Sequence, residues 1–240
     1  PVIQKNLDRY SKVCQWKDLC PNQAEDKDKF QDQDGCPDPD NDLDGVCDAF
    51  PDIQRRLSQF KGYCTGADKC PNDPETINGN NDDDGCPDKG KVLITVSRRS
   101  VQLHERIGFH LKGAGIKRKS RKLLDLLAST LKRNRWITKV RIEAHTGGSA
   151  KDDRYLNWSL AQAGSVRKYL MKAGVKSDRL VAMGFGGSRP VKRGCNRRAT
   201  ATARRRCRRA NERIDFVIIE VNSLLQNQKL KRQLLEGIFE

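Results

Sequence analysis

Val140, Ile142 and Ala144 alternate with charged residues, which predicts a strand with one buried face. From Leu156 to Met171 the apolar period changes to a helical one, and Leu160, Ala163, Val166, Tyr169 and Leu170 share a stripe. Gly174 stands where a C′ glycine ends a helix, and Leu180, Val181, Met183 and Phe185 begin another strand. Joints this short between strand, helix and strand imply neighbouring parallel strands. Upstream, VLITV (92–96) and VQLHERIGF (101–109) read as strands. SRKLLDLLASTLKRN reads as a helix capped by Ser120, with Leu123, Leu124, Leu127 and Leu131 inward. RIDFVIIEV (213–221) is a last strand. The pattern predicts an α/β fold of the α+β sandwich kind: a small mixed sheet with packed helices. In the tail, Leu230, Leu234 and Ile238 fall at i, i+4 spacing, which suits an amphipathic helix over 222–240 lying on its own domain.

Before residue 90 this patterning disappears. Residues 1–90 hold 11 Lys and Arg against 20 Asp and Glu, a net of −9, whereas residues 91–240 hold 36 against 11, a net of +25. Such asymmetry argues for separate modules, 1–90 and 91–221, with the tail after them. Seven of the nine cysteines lie in the acidic part, which points to an oxidising compartment. The phrases CPNQAEDKDKFQDQDGCPD and CPNDPETINGNNDDDGCPD align without a gap, so Cys14, Cys20 and Cys36 recur 50 residues later as Cys64, Cys70 and Cys86. Repeats this poor in large apolar residues build no conventional core, leaving disulfides and cations to hold them.

Pairing by register gives Cys20–Cys36, Cys70–Cys86 and Cys47–Cys64. Cys14 then needs the period-mate of Cys47, which would lie before Pro1, so Cys14 is expected to be unpaired in this chain. The alternative joins Cys14 to Cys20 and Cys64 to Cys70, and leaves Cys36, Cys47 and Cys86 as an odd set. The chain opens at Pro1 rather than Met, and the expectation is that membrane attachment comes only through an upstream segment such as a barrel or lipid anchor. No stretch approaches the ~20 apolar residues of a spanning helix.

Asp-x-Asp-x-Asp-Gly patterns carry the cation signal. Alternate carboxylates in an extended loop can turn to one ion, and glycine allows the sharp turn that follows. Asp40, Asp42, Asp44 and Asp48 form one such set around Gly45. Asp32, Asp34 and Asp38 form a shorter overlapping version, and Asp82, Asp84 and Asp88 repeat it. Oxygen donors alone select calcium over transition metals. This half resembles the calcium-binding type 3 repeats of thrombospondin, with Lys29 where such repeats often place Gly. Calcium is expected to stiffen residues 20–90 and to leave 91–221 untouched.

WSLAQAGSVRKYLMKAGV followed by DRLVAMGFGGSRPV resembles the peptidoglycan-associating C-terminal domain of outer membrane protein A and its relatives. That family usually reads HTDxxG, NxxLSxxRAxxVxxYL, GV, RLxxxGxGxxxP and NRRV, and the resemblance spans about 91–221. It implies a pocket for the diaminopimelate of a stem peptide, whose zwitterionic end needs an anion for its ammonium and an Arg fork for its carboxylate. The family Asp position is Gly147 here, and the family Arg position is Gln162. Family Asn positions become Lys112 and Tyr155, while Thr146 and Arg213 match. Two readings follow: Asp152 or Asp153 stands in from the same loop, or the pocket has lost its ligand.

RGCNRRATATARRRCRR (193–209) is the densest charge in the chain, with Arg193, Arg197, Arg198, Arg204, Arg205, Arg206, Arg208 and Arg209. It reads as a solvated loop or an anion patch. In an oxidising compartment its partners would be lipopolysaccharide phosphates, anionic glycan or the acidic repeats of the same chain. The stretch has no aromatics to stack bases, which argues against nucleic acid. Cys195 and Cys207 lie in the loop before the last strand, and the resemblance implies a disulfide, since the enterobacterial family member carries a cysteine pair there. His104, His110 and His145 show neither metal spacing nor a paired nucleophile, so no enzyme is expected. The chain reads as a cell-envelope protein of a Gram-negative-type bacterium, in periplasm or outer membrane. It would link that membrane to peptidoglycan through a calcium-stiffened spacer. The alternative is an interaction protein with a degenerate pocket that binds anionic surfaces through its arginines.

Overall fold

A computed structural model describes residues 18, 20–110, 113–149, 152–193, 195 and 200–222. Cys14, Lys112, Arg197, Arg198 and the tail positions Leu230, Leu234 and Ile238 lie outside the described residues. The acidic part is largely irregular. It contains β1 (Val46–Asp48) and β2 (Thr65–Asp68), paired in parallel, with short helices α1 (Pro51–Arg55) and α2 (Leu57–Phe60) between them. Disulfides join Cys20–Cys36, Cys47–Cys64 and Cys70–Cys86 at Cα separations of 5.0, 5.0 and 5.1 Å, the pairing that the 50-residue register predicts.

The basic part is a five-stranded mixed sheet in the order β3-β4-β7-β5-β6. Its strands are β3 (Ile94–Val96), β4 (Ser100–Leu103), β5 (Ile137–His145), β6 (Leu180–Gly184) and β7 (Arg213–Val221). Only β5 and β6 run parallel, as the strand-helix-strand pattern requires. Helices α3 (Arg121–Arg133) and α4 (Asp153–Lys172) pack on the face formed by Val140, Ile142, Ala144, Leu180 and Phe216, all at most 3% exposed. Gly174 ends α4 at φ +93°.

Some local expectations change. The strand expected over 101–109 stops at Leu103, and Phe109 makes only an isolated bridge to Ile116. Ser120 precedes α3, but its hydroxyl accepts from the Gly108 N–H and caps nothing. On α4 the inward stripe is Ser159, Ala163, Val166 and Leu170, while Leu160 is 49% exposed. Its backbone lies against Gly184, where α4 crosses β6 too closely for a side chain. From Ala201 the arginine-rich stretch is not a loop: Ala201 to Asn211 is helix α5, whose Ala203 N–H donates to the Thr200 hydroxyl at 3.2 Å. Ala and Arg are good helix formers, and Cys207 and Asn211, four apart, turn inward. Cys207 bonds Cys195 with a Cα separation of 5.5 Å.

The acidic part does bury apolar side chains, contrary to the expectation from its composition. Ile53, Phe60, Tyr63 and Ile77 are each at most 4% exposed and continue the sheet-and-helix core through Trp136 and Ile94. The segment carrying α1 and α2, which the aligned repeat phrases do not contain, supplies three of these four. Backbone bonds complete the junction: Trp136 N–H donates to Tyr63 O, and the Leu93 and Ile94 N–H groups donate to Ile77 O.

Candidate functional site

The acidic loops repeat in geometry as well as in sequence. Asp32 accepts from the Asp28 and Lys29 N–H groups, and Asp82 accepts from those of Asn78 and Gly79. Asp34 and Asp84 each accept from the cysteine N–H two residues on. Gly35 and Gly85 have φ of +72° and +73°, and a Cβ on either would strike Asp18 or Asp68. These glycines are therefore required by both conformation and space.

Two acidic sets converge. Asp40, Asp42 and Asp44 offer oxygens within 4.8 Å of one another, and so do Glu75, Asp82 and Asp88. Glu75 was not among the expected ligands, although its period-mate Glu25 marks the same position in the first copy. Both Glu75 oxygens are buried without a hydrogen-bond partner, as are both oxygens of Asp48, which is 0% exposed. Burial, with neighbouring carboxylates adding repulsion, pushes Asp42 up to about 7, Asp48 to about 8 and Glu75 to about 7. Asp40 rises well above its ordinary range for the same reasons. Clustered carboxylates with orphaned buried oxygens fit a hard divalent cation held by oxygen alone. Asp34 and Asp84, by contrast, brace the loops through the Cys36 and Cys86 N–H groups.

At the far end of β5 the outer sheet face carries charge. Strand register sets Glu143 beside Asp215 and His145 beside Arg213. Glu143 is 5% exposed and lies 2.6 Å from Arg141 and 3.4 Å from Arg189. His145, 2% exposed, stacks on Phe185 at 5.2 Å, and the Arg189 guanidinium lies 3.8 Å from that ring's centroid. His145 Nε2 is 3.4 Å from Asp215. Burial alone would raise Asp215, but His145 and Arg213 beside it hold its carboxyl below the usual range.

His145, Arg213 and Asp215 of this network line a cleft of about 850 Å³ between β4, β7, α4 and the end of α5. Thr146, Gln162, Arg213 and Trp158 line it, with Arg106, Lys117, Lys119 and Arg209 around them. Thr146 Oγ1 is buried without a partner. Trp158 lies one helical turn before Gln162, a signal the sequence offered.

Residues 109–206 match the OmpA family. The matched stretch contains α3, β5, α4, β6 and the first half of α5. Among solved structures, the chain is similar to an outer membrane protein from Borrelia burgdorferi (22% identity, TM-score 0.38, covering 54% of this chain and 96% of that one). It is similar to the peptidoglycan-associated lipoprotein from Burkholderia pseudomallei (20%, 0.38, 48% and 89%). It is also similar to the OmpA-like domain of FopA1 from Francisella tularensis (17%, 0.37, 52% and 77%). No curated protein matches the chain.

Of the positions that the resemblance points to, the fold brings Thr146, Gln162 and Arg213 to one cleft, Arg213 lying beyond the matched stretch. Arg213 is partly committed, donating to Asp215 at 2.7 Å and to Arg189 O at 3.2 Å. Gly147 is walled off: a Cβ there would fall 2.5 Å from the Arg208 carbonyl oxygen. Tyr155 lies outside the cleft lining, its ring against Gly148. Neither Asp152 nor Asp153 lines the cleft, and Asp152 caps α4 while pairing with Arg154 at 2.8 Å. On α5, Arg205, Arg206, Arg208 and Arg209 are exposed and Arg204 is half-buried.

Proposed function

We propose that the chain is a non-enzymatic cell-envelope protein linking the outer membrane to peptidoglycan. The OmpA-like domain makes the peptidoglycan contact, and residues 20–90 form a calcium-stiffened, disulfide-stapled spacer. The observation that carries this reading is the family match over 109–206 together with the meeting of Thr146, Gln162 and Arg213 in one cleft. Calcium is supported by the two carboxylate sets and their orphaned buried oxygens. Asp40, Asp42, Asp44 and Asp48 would hold one ion, and Glu75, Asp82 and Asp88 another. Disulfides in the spacer agree with a periplasmic or surface location. No helix among the described residues is long and apolar enough to cross a membrane.

A second reading is favoured by the walled-off Gly147 and the neutral Gln162. With both charged family partners replaced, the cleft and α5 present mainly cations, and the ligand becomes an anionic surface such as glycan or lipopolysaccharide phosphate. Sedimentation with purified sacculi at low and high salt separates the two. Stem-peptide recognition in the cleft persists at high salt, whereas binding through exposed arginines fades as screening rises. Retention that disappears in high salt and in a variant with Arg205 and Arg206, both outside the cleft, changed to Gln would overturn the first reading.

A further inference from the structure

The acidic loops do not hang free of the OmpA-like domain; they are gripped by its α3–β5 corner. Asn134, 0% exposed, ends α3 and donates its side-chain amide to the backbone carbonyl of Asp44 at 3.1 Å. A Cβ on the adjoining Gly45, at φ +92°, would fall 2.9 Å from that same amide, so loop and corner are in close contact. Trp136 Nε1 donates to Asn134 Oδ1 and fixes the amide's orientation. Arg179 holds the corner from the domain side, donating to the carbonyls of Leu131, Asn134 and Ile137. Asn222, just after β7, donates to Gly62 O at 3.1 Å.

Asp44 joins the two acidic sets. Its backbone carbonyl is taken by Asn134, and its Oδ2 accepts from the Glu75 N–H at 3.2 Å. Arg133, its side chain 10% exposed, pairs with Asp83 at 3.5 Å; burial raises the carboxyls of both Asp44 and Glu75, and the Arg133 cation opposes that rise at each. The loop geometry that brings Asp40, Asp42 and Asp44 within 4.8 Å of one another is thus held in part by a residue of the neighbouring domain.

We propose that cation binding by the acidic loops and their docking on the α3–β5 corner are one linked equilibrium, in which Asn134 sets the affinity of a site it does not ligate. The inference rests on the calcium reading above. Ordering a loop before its ligand arrives removes that cost from binding. Linkage is reciprocal: if docking tightens cation binding, the cation tightens docking by the same factor. Calcium therefore acts on residues 91–221 as well as on the spacer.

The test uses the full chain carrying Trp16→Phe and Trp158→Phe, so that Trp136 alone reports the junction. Calcium chloride is titrated by calorimetry and by Trp136 emission. Asn134→Ala is expected to weaken calcium about 10-fold, the worth of one buried hydrogen bond. Asn222→Ala is expected to weaken it about 3-fold, through a smaller contact of the same kind. Both changes are neutral, so local charge cannot account for the loss. Arg205→Gln, on α5, is the control and leaves the affinity unchanged. Trp136 emission and its thermal transition should both shift as calcium is added. If the parent chain takes up no calcium, the calcium reading falls, and this inference with it. If calcium binds with one affinity in all variants while Trp136 stays silent, only the linkage is overturned. Should Asn134→Ala lose its circular dichroism, Asn222→Ala and the Trp136 signal decide alone.

Discussion

Lys29 and Gly79, 50 positions apart, share a left-handed backbone, with φ of +79° and +93°. Each N–H donates to the carboxylate three residues on, Asp32 or Asp82. The first copy therefore keeps the turn of the second while carrying a Cβ that the turn disfavours. Lys29→Gly should stabilise the acidic part by about 0.5–1 kcal/mol, the left-handed penalty less the extra chain entropy of glycine. Chemical denaturation in calcium measures it. No gain, or a loss, would show that Lys29 contributes something that glycine cannot.

Gly147 predicts the opposite sign. Gly147→Asp restores the family carboxylate on paper, but its Cβ meets the Arg208 backbone of α5. Stability should fall by about 1–3 kcal/mol as α5 is forced away, with no gain in retention on sacculi. A variant that is both stable and better retained would mean that α5 moves aside freely.

Without divalent cation, stability should depend on pH in a defined sense. Asp42 and Glu75 are raised to about 7 and Asp48 to about 8, from ordinary values near 4. Groups raised in the folded state contribute stability that is complete below their ordinary values and is lost as pH rises through the folded ones. In chelator, the melting temperature should fall from pH 5 to pH 8, and excess calcium should restore it at pH 8. A flat profile in chelator, or one that rises, would contradict the buried anionic clusters.

The Cys195–Cys207 bridge ties the approach to α5 onto the helix itself, with a sequence separation of 12. Replacing both by Ser should lower stability by up to about 3 kcal/mol. Amide exchange should quicken first in α5, where Cys207 is one of two buried anchors. Uniform quickening across β5 and β7 instead would place the bridge's effect in the whole domain.

The sheet was legible because its signals are local. Alternation at Val140, Ile142 and Ala144 and the glycine after α4 each state an element without reference to the rest of the chain. The disulfide pairing was legible through the 50-residue period, since equivalent residues in a repeat meet equivalent surroundings. Leu160 misled because the surface it faces is set by the glycine crossing at β6, which helical periodicity does not report. The stretch 201–211 misled because its charge suggested solvation, whereas its Ala and Arg content and Thr200 cap support a helix.

By itself, then, the sequence determined the strand and helix periods, the repeat register, the carboxylate spacing and the family resemblance, all properties of residues close in the chain or related by a repeat. Tertiary structure alone decided that Asn134 and Arg133 serve the acidic loops, that Glu75 completes one carboxylate set, and that α5 occupies the space beside Gly147. It also decided that Ile53, Phe60, Tyr63 and Ile77 share one core with Trp136. Hydrogen bonds and excluded volume act between atoms a few ångströms apart, whereas Asn134 lies 90 positions from Asp44 along the chain and Asp44 lies 31 from Glu75.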